Sequence, residues 1–591
     1  YRSPVKHTHG LVDVCVSVVD RTLVLAGGRV CNSIVLSSLN NPFWRVREII
    51  PVVVLNLLDQ LYFLFVLHFV WMWFRWIVGN HRRTPVIFRE AVVDEDDFAV
   101  TWELIPGRGA IETQQDEVFE NASLAADGSV VDAVSLTDNP GGTPALSADY
   151  LGMKLKEEGI DPLVHFTTKD KNRNQIEGLL HALEREDIHN LLIMSGDHQG
   201  DAFEGQAKAV YDLDPVQTLD FVSELNDGYE FDDAFGRHNE LSEADFFPGA
   251  VVSPFKTIEA ELIPQYWKLE MKVEKGAKFI IPQVGFDARK FHELLQYVEE
   301  KNLDVPVIGN LYVLDPGSAR AMNGKNIPGA IVSDSLRDEV LAEQDGEDPH
   351  GAMIERAAKM YAFMKGMGLA GVHIGGHGAD YGDVEYIVER GEELLDEWED
   401  LVEEFEYPGN FYYYYDRDPE TGLNTETHAP RPENPRQDLK YRGFKVAHEV
   451  MFEPDGALFG PMRYTAKKVD DTWMEGPYEG FERIAKTISN ECQECGNCAL
   501  FDLAYLCPMS QCPKNERNGP CGGSHNGYCE VYPEQDECIY VRAYRKLKAD
   551  GGMEKAREKL RETYIPPPDW DLEGTSSWLN FYNARDYAGK R

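Results

Sequence analysis

The stretch LEMKVEKGAKFIIPQVGFD, residues 269–287, contains the repeating unit of the fold. Its first part completes a helical pattern predicted over Glu259–Lys275, and KFIIPQV (278–284) is an apolar run of strand length. Another helical pattern follows over Asp287–Asn302. A helix that leads into a buried strand, which leads into the next helix, is the building block of a parallel sheet.

The same unit recurs along residues 99–376, where eight apolar runs are predicted strands. They are AVTWEL (99–104), VVDAVSL (130–136), LVHFTT (163–168), NLLIMS (190–195), GAVVS (249–253), KFIIPQV (278–284), VPVIGNL (305–311) and AGVHIGG (370–376). Further helices are predicted at Gln175–Glu186, Met353–Met367 and, inside a long segment, around Val216–Leu225. Eight strand–helix units predict an α/β fold, a (β/α)8 TIM barrel, with its chemistry at the carboxyl ends of the strands.

Polar side chains follow the apolar runs at those ends. They are Glu103, Thr137, His165, Thr167, Thr168, Asp197, His198, Gln283, Asn310, His373 and His377. Glu103 stands inside WELIPGRG, where partial burial would raise its pKa and suit it to general acid catalysis; the alternative is an ion pair with Arg108. Asp197 is either a second functional carboxylate or a turn or helix N-cap residue. The sequence has no G-x-G-x-x-G motif at the start of a strand–helix unit, so it does not indicate a separate nicotinamide-binding domain.

A second region of chemistry lies near the carboxyl terminus, where eight of the ten cysteines fall within 47 residues. They are Cys492, Cys495, Cys498, Cys507, Cys512, Cys521, Cys529 and Cys538. The first three have C-x2-C-x2-C spacing, which predicts metal ligands, either for [4Fe-4S] clusters or for zinc. A disulfide knot is the alternative, and it needs an oxidising compartment. Eight thiolates suffice for two four-ligand centres, but the spacing leaves their grouping open. Cys15 and Cys31 stand apart and are interpreted as buried free thiols.

The amino-terminal part carries a long apolar stretch, residues 49–78, interrupted by Asp59. Its length would span a bilayer, and Arg75 and the basic residues at 81–83 would then leave the rest in the cytoplasm. The alternative is a hydrophobic helical hairpin buried against the protein or a partner subunit. The predicted organisation is a segment 1–94, a barrel 95–404, a linker 405–450 and a cysteine-rich metal-binding domain 451–591.

The charge balance excludes one class of partner. With 58 Lys and Arg against 101 Asp and Glu, the net charge is −43. Such a surface repels a phosphate backbone, so nucleic-acid binding is not expected. A solvated acidic shell fits a cytoplasmic protein, with membrane association only through 49–78.

Five stretches of the predicted barrel carry a recognisable pattern: WELIPGR (102–108), SLTDNP (135–140), VHFTTKD (164–170), NLLIMSGDHQG (190–200) and LEMKVEKGAKFIIPQVGFD (269–287). Together they resemble the methylenetetrahydrofolate reductase family. The cysteine region, with CPKNERNGPCGG (512–523) and YCEV (528–531), resembles the cysteine-rich accessory protein or C-terminal domain found with these reductases. The resemblance implies a flavoprotein, with FAD or FMN, that interconverts 5,10-methylene- and 5-methyltetrahydrofolate.

The resemblance also implies residue roles. Glu103 would be the general acid that opens the folate imidazolidine ring, and Asp197 would lie near the flavin and the pterin. Gln283 would bind folate, and Thr137, His165 and Lys272 match flavin-contacting positions.

The sequence departs from the family pattern after Gly309, where a nicotinamide-side Gln and Phe are not evident. This departure favours electrons from an iron–sulfur centre or partner protein over direct reduction by NAD(P)H. An oligomer is expected. Two other functions stay open: a folate-dependent methyl-transfer barrel that docks a corrinoid protein, and an electron-relay subunit of a larger complex.

Overall fold

The computed structural model describes residues 17–19, 22–24, 87–324, 327–433 and 435–591. The chain divides into two compact units, 1–84 and 85–591. In the first, the described part is an antiparallel pair of short strands, Ser17–Val19 and Thr22–Val24. The apolar stretch 49–78, Cys15 and Cys31 lie outside the described residues. Within the described ranges, none of the helices has the length and apolar character that a bilayer crossing requires.

The second unit is built on a parallel sheet of eight strands that curls into a barrel. The strands are β1 (Ala99–Leu104), β2 (Ala133–Leu136), β3 (Asp161–Thr167), β4 (Asn190–Met194), β5 (Phe247–Val252), β6 (Phe279–Pro282), β7 (Ile308–Tyr312) and β8 (Gly371–Gly375). The sheet order is β6-β5-β4-β3-β2-β1-β8-β7, all parallel. An isolated bridge between Ile280 and Val307 joins β6 to β7 and closes the ring. The predicted TIM barrel is therefore confirmed.

One helix precedes β1, and the other helices of this region follow the strands and cover the barrel. They are α1 (Ile87–Val93), α2 (Thr113–Asp127), α3 (Ala148–Glu158), α4 (Arg173–Arg185), α5 (Pro215–Asn226), α6 (Glu259–Glu274), α7 (Ala288–Glu300), α8 (Pro316–Asn323), α9 (Asp334–Glu343), α10 (Pro349–Gly366), α11 (Tyr381–Glu393) and α12 (Trp398–Leu401). Local sequence starts several of them. At α5, the Asp214 carboxylate accepts the amides of Val216 and Gln217, and the Gln217 side chain accepts the amide of Asp214. This reciprocal capping box satisfies amides that would otherwise lack partners.

The amino-terminal end of the barrel is plugged. Helix α1 places Phe88 edge-on against Phe279 and Phe247, at centroid distances of 5.3 and 6.3 Å. The three rings belong to an apolar cluster formed at the starts of the strands. Chemistry is therefore confined to the opposite end, where the strands finish.

The region after the barrel is short-stranded and helical. It contains a strand pair, Tyr415–Arg417 and Asn424–His428, then helices α13 (Leu439–Met451), α14 (Phe459–Val469), α15 (Glu475–Asn490), α16 (Pro508–Gln511), α17 (Ile539–Leu560), α18 (Ser577–Tyr582) and α19 (Tyr587–Lys590). The predicted linker 405–450 contains four consecutive tyrosines, Tyr412–Tyr415, and packs against α7. Tyr414 is buried there, with its ring 5.3 Å from that of Tyr297. Helix α17 is kinked at Gly551 and Gly552.

Helix α17 attaches the cysteine-rich region to the barrel through buried charges. The carboxylate of Glu259, on α6, accepts the Tyr544 hydroxyl and pairs with Lys548 at 2.6 Å. About three helical turns further along α6, Glu270 pairs with Arg557 at 2.6 Å and with Arg561 at 2.7 Å. A buried carboxylate without such partners would be costly. These contacts hold the loops between α15 and α17 over the open end of the barrel.

Candidate functional site

A cavity of about 580 Å³ occupies the carboxyl end of the barrel. Seven of the eight strands contribute residues to its wall, and Thr137, directly after β2, also lies in it. The strand-end residues in the wall include Glu103, Thr137, His165, Thr167, Met194, Asp197, Val251, Ser253, Gln283, Asn310, Tyr312, His373 and Gly375. Five of the predicted site residues thus share one cavity: Glu103, Thr137, His165, Asp197 and Gln283.

Lys272 does not line this cavity. Its ammonium is buried behind β5 and donates to the carbonyl oxygen of Val251 at 2.6 Å. Burial, reinforced by the charge of Lys268, lowers the pKa of the Lys272 ammonium to about 7. Lys272 is therefore linked to the cavity by its hydrogen bond to the backbone of Val251, a residue of β5 that lines the cavity.

Two histidines surround Glu103. His373 Nε2 lies 3.5 Å from a Glu103 carboxylate oxygen, and His373 Nδ1 lies 2.8 Å from the Thr101 hydroxyl. His165 Nε2 lies 2.6 Å from the Ser135 hydroxyl, and the two imidazole rings are 5.9 Å apart. The side chain that the structure places beside Glu103 is thus the imidazole of His373, whereas Arg108 is exposed.

These neighbours set the ionisation of Glu103. Burial acts to raise the pKa of its carboxyl, but the hydrogen bond with His373 and the nearby imidazoles of His373, His165 and His377 together outweigh burial, and the pKa lies below its ordinary value. Burial lowers the pKa of the His165 imidazole to about 4, so that ring is neutral near pH 7. The predicted rise in the pKa of Glu103 is therefore wrong for this structure. The sequence gave no sign that His373, 270 residues away, lies beside Glu103.

The same three side chains could hold a cation. One ligand atom each from Glu103, His165 and His373 lie within 4.8 Å of one another. Two imidazoles and a carboxylate suit several divalent metals. A metal here would occupy the carboxylate and prevent Glu103 from donating a proton.

Asp197 stands at the end of β4 on a tightly packed turn. Its carboxylate accepts the amide of Gly141, at 2.9 Å, from the loop after β2. Gly196, just before it, has φ of +80°, and a Cβ there would lie 2.9 Å from the Thr167 side chain. Asp197 therefore faces the cavity, where a functional carboxylate would stand, and it also joins two loops of the cavity rim as a turn residue. A catalytic role for Asp197 stays a prediction.

The cysteine-rich region completes the cavity wall. Lys514, Cys521, Gly522, Gly523 and Glu530 all line it. A buried ion pair across the interface, between Lys268 of α6 and Glu516, has a distance of 2.6 Å. Sequence reasoning did not place these residues at the barrel, because more than 200 residues separate them from the strands they meet and no local pattern marks the contact.

The eight thiols fall into two groups, and all eight are free of disulfides. Cys492, Cys495, Cys498 and Cys507, the amino-terminal group, line a cavity of about 210 Å³. Within this group, burial raises the pKa of the Cys492, Cys495 and Cys498 thiols, and neighbouring thiols of the group raise it further.

The carboxyl-terminal group contains Cys512, Cys521, Cys529 and Cys538. Burial raises the pKa of all four thiols. Cys538 raises the pKa of Cys512, Cys512 raises that of Cys521, and Cys529 raises that of Cys538. Members of this group thus raise one another's pKa.

Each group offers four soft donors of the type that zinc and iron–sulfur clusters use, but among the described residues no three of these Sγ atoms lie within 4.8 Å of one another, so neither group has the arrangement of a closed tetrahedral zinc site. Burial raises the pKa of the Cys498 thiol to about 11 and that of Cys538 to about 12. Such thiols become ligands only by losing their protons to a metal centre. A positive charge already stands at the amino-terminal group, where Lys486 Nζ lies 3.7 Å from Cys498 Sγ.

The fold and the site define an α/β-barrel protein with an acid at the barrel mouth and a thiol-rich region beside it. Residues 89–376 match the family model described as methylenetetrahydrofolate reductase, and residues 473–571 match the model described as methylene-tetrahydrofolate reductase C terminal. The chain belongs to the methylenetetrahydrofolate reductase family and carries both regions in one polypeptide. The family places it among folate-metabolising oxidoreductases, which are generally flavin-dependent.

Solved structures resemble the chain only distantly. One is an uncharacterized protein from Clostridium thermocellum that binds two copies of 5-methyl-5,6,7,8-tetrahydrofolic acid, with 13% identity, a TM-score of 0.38 and coverage of 52% of this chain and 99% of that one. Another is the EDTA monooxygenase EmoA from Chelativorans sp. BNC1, with 9% identity, a TM-score of 0.32 and coverage of 54% and 96%. At this level of similarity neither structure bears on the ligands of this chain.

Proposed function

We propose that this chain interconverts 5,10-methylenetetrahydrofolate and 5-methyltetrahydrofolate with a flavin, FAD or FMN, bound in the barrel mouth. The observation that carries the proposal is the convergence of Glu103, Asp197 and Gln283 on one cavity of about 580 Å³ in a member of this family. An acid, an amide and a second carboxylate on one wall suit a substrate that must be protonated, oriented and reduced.

Glu103 would donate a proton to N10 of the methylene-bridged folate. The C–N10 bond of the five-membered ring then breaks, and the remaining N5 iminium carbon becomes electrophilic. The flavin, when bound and reduced, supplies the hydride that completes the methyl group. One proton and one hydride are added, so the reaction balances, and the reverse reaction returns the proton to Glu103.

The other wall residues would bind and orient. Gln283 is held by its own contacts, since its amide nitrogen donates to the carbonyl of Pro328 at 3.3 Å, and its remaining capacity suits the pterin edge. Thr137 and His165 stand where the flavin would lie, and Asp197 would set the charge between flavin and pterin. Lys272 would act indirectly, by holding Val251 in the wall.

Electrons would reach the flavin through metal centres on the thiols. Cys521, of the carboxyl-terminal group, lines the same cavity as Glu103, so a centre on this group would adjoin the flavin. Iron–sulfur clusters can relay electrons, whereas zinc has no redox chemistry and would be structural. The reductant would be an electron-donor protein in preference to NAD(P)H.

The test of the proposed function is a spectrum of the protein purified without oxygen. One flavin per chain is expected, together with iron or zinc bound by thiols, and 5-methyltetrahydrofolate should bleach the flavin and sustain turnover with an artificial acceptor. A protein that takes up no flavin but transfers methyl groups to a corrinoid would contradict the proposal. A protein with metal but neither reaction would be an electron-relay subunit.

His373→Asn should change the pH dependence of this reaction. Asparagine can keep the contact with Thr101 but cannot reach Glu103, so burial would act on the carboxyl with less opposition and its pKa would rise. Because Glu103 must be protonated to act as the acid in folate reduction, activity should then persist to higher pH. The alkaline limb of a kcat/KM profile measures this shift.

Thr101→Val is the matched control for His373→Asn. It removes the hydroxyl partner of the imidazole but keeps the imidazole beside Glu103. Its alkaline limb should move much less. An equal shift in both variants, or none in either, would show that His373 does not set the ionisation of Glu103.

A further inference from the structure

A buried cation from the cysteine-rich region enters the barrel site. The side chain of Lys514 is 5% exposed and lines the same cavity as Glu103 and Asp197. Its ammonium donates to the carbonyl oxygen of Gly196 at 2.7 Å and forms an ion pair with Glu530. A lysine from the cysteine-rich region is thus fixed to the residue that precedes Asp197.

The contacts of Lys514 connect two loops of different origin. Glu530, its carboxylate partner, also accepts a hydrogen bond from the Cys521 thiol at 3.3 Å. The ammonium therefore lies between the Cys521 loop and the turn that carries Asp197. Gly196 adopts a left-handed conformation with little space around it, and Lys514 adds to the two contacts that hold Asp197 itself, from the Gly141 amide and the Tyr211 hydroxyl.

We propose that Lys514 is a positioning residue of the barrel site, which holds the Asp197 turn in place and supplies positive charge beside a reduced, anionic flavin. The inference rests on the proposed function, because it assigns a role toward the flavin. It also makes the site composite: the barrel alone would lack this charge.

The other charged groups of the cavity wall are placed differently from Lys514. Lys169 also lines the cavity, but its ammonium donates to the backbone carbonyls of Asp138 and Asn139 in the loop after β2. Glu103, Asp197 and Glu530 are all acidic. Loss of the Lys514 charge would leave Glu530 unpaired near Asp197, and a flavin that gains negative charge on reduction would be bound less tightly in that state.

The experiment compares Lys514→Met with Lys514→Arg and with Lys548→Met in the full-length protein. Lys548 is the matched control, because it is also a largely buried lysine of the cysteine-rich region paired with a barrel carboxylate, Glu259, and it does not line the cavity. The measured quantities are the Kd of FAD and FMN in the oxidised and the reduced state and the midpoint potential of the bound flavin.

In Lys514→Met the Kd of reduced flavin should weaken about tenfold more than that of oxidised flavin. A tenfold change in this ratio is about 30 mV for a two-electron couple, toward more negative potential. Lys514→Arg should keep most of the wild-type ratio, because the charge is retained. Lys548→Met should leave the ratio unchanged even if it lowers overall stability.

Two outcomes separate the hypotheses. A flavin-binding Lys514→Met protein with the wild-type ratio, or with the same change as Lys548→Met, would overturn the role of Lys514 alone. A wild-type protein that binds neither FAD nor FMN would overturn the proposed function, and the role of Lys514 with it. If Lys514→Met does not fold, the double variant Lys514→Met/Glu530→Gln replaces it, because it removes both charges of the ion pair. In the double variant the ratio of the Kd of reduced flavin to that of oxidised flavin should rise by less than tenfold. An unchanged ratio there would also overturn the role of Lys514.

Discussion

Glu103→Gln is expected to lower the turnover of 5-methyltetrahydrofolate with an artificial acceptor by about 10²- to 10⁴-fold, the usual contribution of a general acid or base. Glutamine has nearly the same shape and can keep a hydrogen bond to His373, but it cannot exchange a proton with N10. Flavin content and the midpoint potential of the bound flavin should change little. Steady-state kinetics together with a flavin spectrum of the same preparation measure both.

Glu117→Gln is the matched control, since it is the same chemical change at an exposed position of α2 near the outer rim of the barrel. Its turnover should equal that of the wild type. Turnover of Glu103→Gln within a few-fold of wild type would remove Glu103 from the mechanism. A large loss accompanied by loss of flavin would instead assign Glu103 to cofactor binding.

Replacing single cysteines should remove one metal centre at a time. Cys498→Ser should lose the centre of the amino-terminal group and keep the other, whereas Cys529→Ser should do the reverse. In each variant the metal content per chain should fall by about half, because the amino-terminal four line one cavity and each group would supply the donors of its own centre. Metal analysis and absorbance spectra of both variants measure this, and each variant serves as the control for the other.

The two cysteine variants should also differ in electron transfer. Because Cys521 lines the barrel cavity, the carboxyl-terminal group adjoins the proposed flavin site. Reduction of the flavin by an external one-electron donor should therefore slow in Cys529→Ser and change less in Cys498→Ser, because the redox group nearer the proposed flavin site is lost only in the first. Reduction by 5-methyltetrahydrofolate should persist, since that half-reaction needs no metal centre. Loss of all metal in either variant would contradict the grouping of the thiols.

Much of the barrel could be predicted from the sequence because its strands are continuous apolar runs. AVTWEL at 99–104 is a strand with the predicted bounds, whereas the run predicted at 130–136 begins only at Ala133. The difference is local: the Asp132 carboxylate accepts the amide of Val100 at 2.7 Å, and Asp132 precedes the paired residues of β2. Hydrophobicity marks that a strand exists more reliably than it marks where pairing starts.

The site was predictable only where strand order brings residues together. Glu103, His165 and His373 each end or line a strand, so a closed barrel places them on one cavity. The contact of Lys514 with Gly196 has no such rule behind it, because it depends on how the cysteine-rich region packs on α6. The grouping of the thiols was likewise hidden, since Cys507 and Cys512 are five residues apart in sequence yet belong to different groups.

The buried charges between α6 and the cysteine-rich region have a consequence for how the protein must be made. In a barrel ending near residue 404, Lys268, Glu259 and Glu270 would lose the partners that Glu516, Lys548 and Arg557 supply. Those charges would then face water, so the main cost of truncation is the apolar surface of α6 that it exposes, including Trp267, whose ring lies 5.9 Å from that of Tyr544. The cysteine-rich region is therefore expected to stabilise the barrel as well as to border its site.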